Sequence, residues 1–300
     1  MKILEEKTKV AVLLACHNRR VLTVRCLKSL AEQSLLDSSI EVEIFLTDDG
    51  SNDGTSAAVL DCYPGANLFF GDGSLFWNRG MHMAFEGAIE KDGFDFYLWL
   101  NDDCILYQDT LSVLLNSYKK IEEATGSSAH IIGSAMQDSE TKAFTYGGVK
   151  KHSSVVGRIT QSRIAPDSVN PIECHAVNGN CVLISAEVVA RIGNLDPIYT
   201  HRWGDHDYCF RSLRAGCMVW LAPGFRGSCS SNSITGTWQD TKLPIKSRIE
   251  ALRSHKGYAP NDYLVYLRRH RGVWWFVSYW SPYVKILLSS LFGIKFKVRH

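Results

Sequence analysis

Three apolar runs in the first hundred residues each stop at a polar cluster, and no other feature restricts the fold as tightly. Val10–Cys16 (VAVLLAC) runs into His17-Asn18-Arg19, Glu41–Leu46 (EVEIFL) into TDDGSNDGT, and Phe94–Leu100 (FDFYLWL) into Asn101-Asp102-Asp103. Runs this short and this continuously apolar suit strands covered on both faces. Between the first two, Arg20–Gln33 carries apolar residues at 21, 22, 24, 27, 30 and 31, the stripe of an amphipathic helix. Asn67–Phe70 reads as a short strand and Ser74–Lys91 as a helix. Strand and helix alternating at this spacing imply a parallel sheet with right-handed crossovers. In an open sheet of that kind ligands bind outside the carboxyl ends of the strands, so the three clusters are expected to converge on one crevice.

The second half is less regular. His130–Ala135 and Cys181–Ser185 look like strands, Ala186–Ile192 and Asp207–Ala215 like helices, and Ser153–Pro171 like a polar loop. With 45% hydrophobic and 11% aromatic residues and a net charge of +2, the 300-residue chain is neither disordered nor a nucleic-acid binder driven by bulk charge. The charge is uneven, however. Seven Lys/Arg and no acid lie between Arg268 and His300, so the rest carries 26 basic against 31 acidic residues. Nine cysteines without a CxxC pair support neither a zinc ribbon nor a thioredoxin-type site and read as reduced, buried thiols. No signal peptide is recognised at the start. The expected division is a domain over 1–240 and a helical extension over 241–300.

That extension holds an apolar, aromatic stretch, Val273–Ile294, long enough to span a bilayer. Pro282 and Lys285 interrupt it, and a Lys at mid-span costs about 2.5–3.5 kcal/mol. Trp274, Trp275, Tyr279, Trp280 and Tyr283 are residues of the headgroup boundary. An interfacial, surface-lying tail is the favoured reading. A helical lid packed on the domain and a true span are the alternatives.

Asp48–Thr55 fits a turn that caps a helix near Ser56, or a ligand loop. It is not a calcium loop, because with Asp49 at position 1 the twelfth position is Leu60 where a glutamate is required. Asn101-Asp102-Asp103 places adjacent carboxylates after a very apolar strand. That arrangement calls for compensation by a divalent cation, unless it is a solvated turn with Asp103 capping the next helix. Asp205-His206-Asp207 opens a helix as dipole-favoured acids, or presents a general base.

Taken together, strand–HNR, strand–TDDGSNDGT, strand–NDD, NGNCVLIS and GDHDYCFR resemble the family 2 inverting glycosyltransferases over about Val10 to Gly227. GDGSLFWNRGMHMAF and WLNDDC further resemble a bacterial, rhamnosyltransferase-like branch of surface polysaccharide assembly. The resemblance implies the GT-A fold, a Rossmann-like, mostly parallel α/β sheet flanked by helices, here with a C-terminal helical, membrane-proximal extension. It implies that Asp49 meets the nucleotide base with His17 and Arg19 in the same pocket, and that Asp72, Arg79, Asn101 and Asp102 border the nucleotide. Asp103 would contact Mg²⁺ or Mn²⁺, and Asp205 would be the base that deprotonates the acceptor. Asp207 and Arg211 would be structural. Asn178, Asn180, Trp203 and Trp238 are candidate contacts to acceptor or donor sugar. Relatives place a metal-binding His after the last sheet strand, where this chain has Cys229, and an acid before the base, where it has Gly204, which would widen the site.

The implied donor is a UDP- or dTDP-sugar and the implied acceptor a saccharide or lipid-linked glycan. The chain would work in the cytoplasm, on the inner face of the membrane, with its basic tail on anionic lipid and no role for nucleic acid. A nucleotidyltransferase is the competing enzyme, but CHNRRVL lacks the glycines of a pyrophosphate loop. A catalytically inactive nucleotide-sugar-binding or membrane scaffold protein is the competing non-enzyme.

Overall fold

A computed structural model describes residues 7–36, 39–154, 159–231, 233–294 and 296. The first half comprises β1 (Thr8–Cys16), α1 (Arg20–Leu36), β2 (Ile40–Asp48), α2 (Thr55–Cys62), β3 (Asn67–Phe70), α3 (Phe76–Lys91) and β4 (Phe96–Leu100). β1 pairs in parallel with β2 and with β4, and β2 in parallel with β3. Then follow β5 (Ile105–Leu106), α4 (Thr110–Thr125), β6 (His130–Gln137), β7 (Phe144–Tyr146), β8 (Gly148–Ser153) and β9 (Ile159–Ile164). β10 (Ile172–Cys174), β11 (Ala176–Val177), β12 (Cys181–Ser185), α5 (Ala186–Ile192), α6 (Gly204–Arg214) and β13 (Met218–Ser228) complete the sheet region. α7 (Ile245–Arg253), α8 (Pro260–His270) and α9 (Trp275–Phe292) close the chain.

The main sheet runs β10-β13-β6-β12-β4-β1-β2-β3, with β5 and β7 attached at β13 and β6. Only β12 and β10 oppose the shared direction on this path. β12 therefore enters at the end where β4 leaves, Cys181 facing Leu100 across the ladder. Alternation along β1 explains its unbroken apolar run. Val10, Val12 and Leu14 pack with α1 and α4 residues such as Leu27, Leu30 and Leu114, while Ala11 and Leu13 pack on the other face with Met81 and Phe85 of α3. Each fully buried Leu or Phe is worth about 1.5–3 kcal/mol, which is why both faces are filled before any polar residue appears.

The structure changes several sequence expectations. α3 begins at Phe76 rather than Ser74, β4 at Phe96 rather than Phe94, and α6 at Gly204 rather than Asp207. The supposed loop Ser153–Pro171 contains β9, which pairs with β8 over Gly148↔Ile164 to Ser153↔Ile159. Its sequence, ITQSRI, is half-buried or exposed along its length, so it carries no apolar run to announce it; residues 155–158 lie outside the described ones.

The tail is both packed and exposed. Arg248 of α7 is buried and donates Nη1 to Ser290 Oγ at 2.7 Å, and Tyr263 Oη donates to the Ser278 carbonyl at 3.0 Å, fixing one side of α9. Pro282 and Ile286 are buried on that side. Val273, Phe276, Val277, Trp280, Val284, Leu287 and Leu291 recur every three or four residues on the other side and are exposed. Among the described residues no helix is long and apolar enough to cross a membrane, which removes the spanning alternative there.

Candidate active site

The ladders level the strand ends. Cys16 faces Asp48, Asp48 faces Phe70, and Cys181 faces Leu100. The segments following β1, β2, β3 and β4, and the one preceding β12, therefore share one edge, and the convergence expected from the sequence is what the chain builds.

The first two segments are bonded to each other. His17 Nδ1 donates to the Asp49 carbonyl at 2.5 Å, Asn18 N–H to Ser51 Oγ at 2.8 Å, and Asn52 N–H to Asn18 Oδ1 at 2.9 Å. Asp48 Oδ1 accepts from Ser51 N–H at 2.8 Å, so this acid shapes its own loop. Asp49, also buried, accepts from Gly73 N–H at 2.8 Å on Oδ1 and from Phe76 N–H at 2.9 Å on Oδ2. It holds the start of α3 and the 71–76 turn against the DDGS loop. Gly50, at φ +74, lies where a Cβ would come within 2.9 Å of Gly73 N, so the close approach of the two loops requires glycine. Asp72 is exposed and accepts from Ser74 N–H at 3.0 Å.

Compensation for Asp102-Asp103 comes from the chain itself. Arg19 Nη1 lies 2.8 Å from Asp102 Oδ1 and 3.0 Å from Asp103 Oδ2. Asp102 is buried to 4% exposure, and its Oδ2 has no hydrogen-bond partner among the described residues. Burial pushes its carboxyl up to about 6, with Arg19 pulling the other way and Asp103 adding to the rise. Asp103 does not cap a helix, since β5 follows and Asp109 occupies the position before α4. Asn101 accepts from Trp77 Nε1 at 2.6 Å, and its N–H donates to the Asn180 carbonyl at 2.9 Å.

Past β13, Cys229 Sγ lies 3.4 Å from Asp103 Oδ1. Asp103, Cys104 and Cys229 bring one donor atom each within 4.8 Å of one another, spacing that one cation could bridge. Donors on an ion with bonds of about 2.0–2.3 Å sit about 3–4 Å apart, and the 3.4 Å between Cys229 Sγ and Asp103 Oδ1 falls in that range, so these two could share a divalent metal. Asn180, taken from sequence as a sugar contact, is buried and aims Nδ2 at Cys229 Sγ from 3.3 Å.

Asp205 comes from the first turn of α6. Its Oδ2 accepts from Gly179 N–H at 3.1 Å and its Oδ1 from His206 N–H at 2.8 Å. Gly204 serves packing rather than width, because a Cβ there would fall 1.6 Å from Asn78 Oδ1. Asn78 is itself tied by Nδ2 to the carbonyls of Asp196 and Tyr199 at 2.8 and 2.9 Å. Two residues on, Asp207 is fully buried and is met by Tyr199 Oη at 3.0 Å, Arg211 Nε at 2.9 Å and His270 Nε2 at 2.8 Å. Burial opposes its ionisation, but the His270 and Arg211 bonds outweigh that and hold the carboxyl well below the usual range. It locks α6 to α8.

Other sequence candidates point elsewhere. Arg79 Nε donates to the Pro197 carbonyl at 3.0 Å. Trp203 stacks on Tyr266 and Tyr263 at centroid distances of 4.5 and 5.3 Å, and Trp238 meets Tyr258 edge-on at 5.7 Å. Asn178 Oδ1 accepts from Gly147 N–H at 3.2 Å. Sequence reasoning missed Trp77, Cys104 and the Gly179–Asp205 bond. Trp77 bonds Asn101 24 residues away, Gly179 bonds Asp205 26 residues away, and Cys104, though next to Asp103, meets Asn180 76 residues on, so spacing carried no signal for these pairs.

Residues 11–192 match the model of glycosyl transferase family 2. A 150-residue stretch is 25% identical to the GalNAc(5)-diNAcBac-PP-undecaprenol beta-1,3-glucosyltransferase of Campylobacter jejuni, covering 49% of this chain and 45% of that protein. The chain thus spans less than half the length of this curated relative. The fold is similar to that of S. aureus TarS 1-349 in complex with UDP, at TM-score 0.54, 12% identity, and 96% and 76% coverage of the two chains. It is also similar to the mannosyltransferase PcManGT of Pyrobaculum calidifontis, in complex with GDP-Man and Mn²⁺, at TM-score 0.50, 12% identity, and 97% and 89% coverage. The architecture is the GT-A fold, and the chain belongs to glycosyl transferase family 2.

Proposed function

We propose that the chain is an inverting hexosyltransferase that moves a sugar from a UDP- or dTDP-sugar to a saccharide or lipid-linked acceptor in bacterial surface polysaccharide synthesis. The observation that carries this reading is the arrangement of three groups at one sheet edge. These are the paired His17 and Asp49 loops, the Asp102-Asp103 pair held by Arg19, and a separate carboxylate, Asp205, on α6. The undecaprenol-linked substrate in the Campylobacter relative's name supports a lipid-linked acceptor, and the UDP in TarS supports a uridine donor.

In this reading the DDGS loop, with His17 and Asp49, receives the base, and Asn101, Asp102 and Asp72 border the ribose and diphosphate. Arg19 places a cation beside the diphosphate. Asp103 would hold the divalent cation, Mg²⁺ or Mn²⁺ by the resemblance. Such a cation, when bound, neutralises charge on the departing nucleoside diphosphate. Asp205 takes the proton from the acceptor hydroxyl. Its two main-chain bonds fix the carboxylate's direction while leaving lone pairs for that hydroxyl. One base and one direct displacement invert the anomeric centre, so no protein nucleophile is needed.

The apolar stripe of α9, with exposed Arg268 next to it, would lie on anionic lipid at the cytoplasmic face, close to a lipid-linked acceptor. Incubating the full chain with UDP- and dTDP-hexoses, Mn²⁺ and polyprenyl-diphosphate-linked glycans tests the reaction. Asp205→Asn is expected to lower turnover by about 10²–10⁴-fold with nucleotide affinity within a few-fold. Unchanged turnover would remove Asp205 from the role.

A further inference from the structure

Cys229 is the first residue past β13, and its N–H donates to the Gln137 carbonyl at 3.0 Å, so strand pairing sets where its sulfur lies. The two oxygens of Asp103 face different partners. Oδ2 receives Arg19 at 3.0 Å, while Oδ1 lies 3.4 Å from Cys229 Sγ. Behind them stands Cys104, the third donor of the group. Asn180 reaches both sulfurs, at 3.3 Å for Cys229 and 3.8 Å for Cys104. An amide N–H aimed at sulfur is the kind of outer contact that orients a metal-bound ligand and stabilises its negative charge. On the neighbouring residue, Asp102 Oδ2 is buried without a hydrogen-bond partner among the described residues. A hard cation held by oxygen has little use for sulfur, whereas zinc and cobalt bind thiolate strongly.

We propose that Cys229 is a thiolate ligand of the divalent cation held by Asp103, which makes the site favour zinc or cobalt over manganese, and manganese over magnesium. This rests on the donor site proposed above and deepens it by naming the ligand and the cation class. On binding, the Cys229 thiol loses its proton to solvent and the sulfur donates the freed electron pair to the metal, one proton being released per thiolate formed.

Cobalt titration of the metal-free full chain under anaerobic conditions, without nucleotide, reads the ligand directly. The expected result is a thiolate-to-cobalt charge-transfer band in the near ultraviolet that saturates at one equivalent. Zinc should displace it, and a hundredfold excess of Mg²⁺ should not. Cys229→Ser should remove the band, and Cys229→His should bind cobalt without it. Asp103→Asn, which leaves the sulfur in place, should weaken cobalt affinity at least tenfold, so the conclusion does not depend on one variant folding. A wild-type spectrum identical to that of Cys229→Ser, or equal displacement by Mg²⁺, would overturn the proposal. Because nucleotide and acceptor are absent, a missing band counts against the thiolate alone. Failure of sugar transfer by the wild type counts against the enzymatic reading alone.

Discussion

Gly179 donates its N–H to Asp205 Oδ2 over 3.1 Å, and the next residue, Asn180, accepts the N–H of Asn101 at 2.9 Å. Two consecutive residues before β12 thus connect the carboxylate on α6 to the acidic end of β4. Space at Gly179 is spoken for as well, since a Cβ would come within 2.5 Å of the Trp77 ring. Gly179→Ala should displace Trp77 and turn Asp205 away from its bond. The expected outcome is a fall in kcat of at least tenfold with nucleotide affinity nearly unchanged, read by steady-state kinetics beside nucleotide titration.

Arg19 is the sole described cation bonded to Asp102 and Asp103. Its side chain is 42% exposed while that of Asp102 is 6% exposed, so solvent screens one partner and not the other. Breaking a fully buried pair costs about 3–5 kcal/mol, and with this screening Arg19→Ala should cost about 1–2 kcal/mol. For a chain this size that lowers Tm by a few degrees. Adding Asp102→Asn should recover part of the loss, because the uncompensated buried charge is then gone. Additive losses in the double variant would show that the pair is not coupled.

Acid should weaken the fold through its histidines. Burial, followed by the charges of Arg202, His255, Lys256 and Arg19, holds the His201 imidazole down to about 4. In the unfolded chain it titrates near 6.5. Between those values the unfolded chain binds the extra proton, so stability falls as pH drops from about 6.5 toward 4. His130, His175 and His255 are shifted the same way by burial. Tm measured from pH 7.5 to 4.5 should decline, and His201→Gln should flatten the decline. An unchanged slope in that variant would remove His201 from the effect.

Truncating the tail is a poor test of membrane binding, because it removes the Ser290 partner of buried Arg248 and the Ser278 carbonyl that Tyr263 meets. Trp280 and Leu291, 59% and 65% exposed, can be changed without uncovering the domain. Trp280→Ser with Leu291→Ser should cut flotation with anionic vesicles several-fold while Tm moves by no more than about 2 °C. Equal flotation would place the membrane contact elsewhere.

How much of this could be read in the sequence follows from where the determinants lie. β1, β2, β3, β4, β12 and α5 were legible because burial on both faces or on one stripe leaves a local pattern. β8 and β9 were not, because β9 is an edge strand of the small sheet β11-β8-β9 and is half-buried or exposed throughout, while β8 buries only Gly148 and Val149, so neither carries an apolar run. Strand-end clustering brought Arg19, Asp49 and Asp103 to one edge. What Arg19 does there was hidden, since its partners stand 83 and 84 residues away and spacing does not record such pairs. The adjacency of Asp102 and Asp103 calls for a compensating positive charge, but nothing local in the sequence shows that Arg19 supplies one. Trp203 looked like a free platform because stacking on Tyr263 and Tyr266 depends on how α8 folds back.

Nucleotide binding at the strand-end crevice is the claim on which every assigned role depends. The most direct test is thermal unfolding of the full chain with UDP, dTDP, GDP and CDP, each with and without Mn²⁺, beside the Asp103→Asn variant. Ligand at a hundred times its Kd stabilises by about 2.7 kcal/mol, enough to move Tm by several degrees. The expected result is a shift with UDP or dTDP that needs the metal and is lost in Asp103→Asn. No shift with any nucleotide, or an equal shift in the variant, would contradict the assignment of this crevice as the donor site.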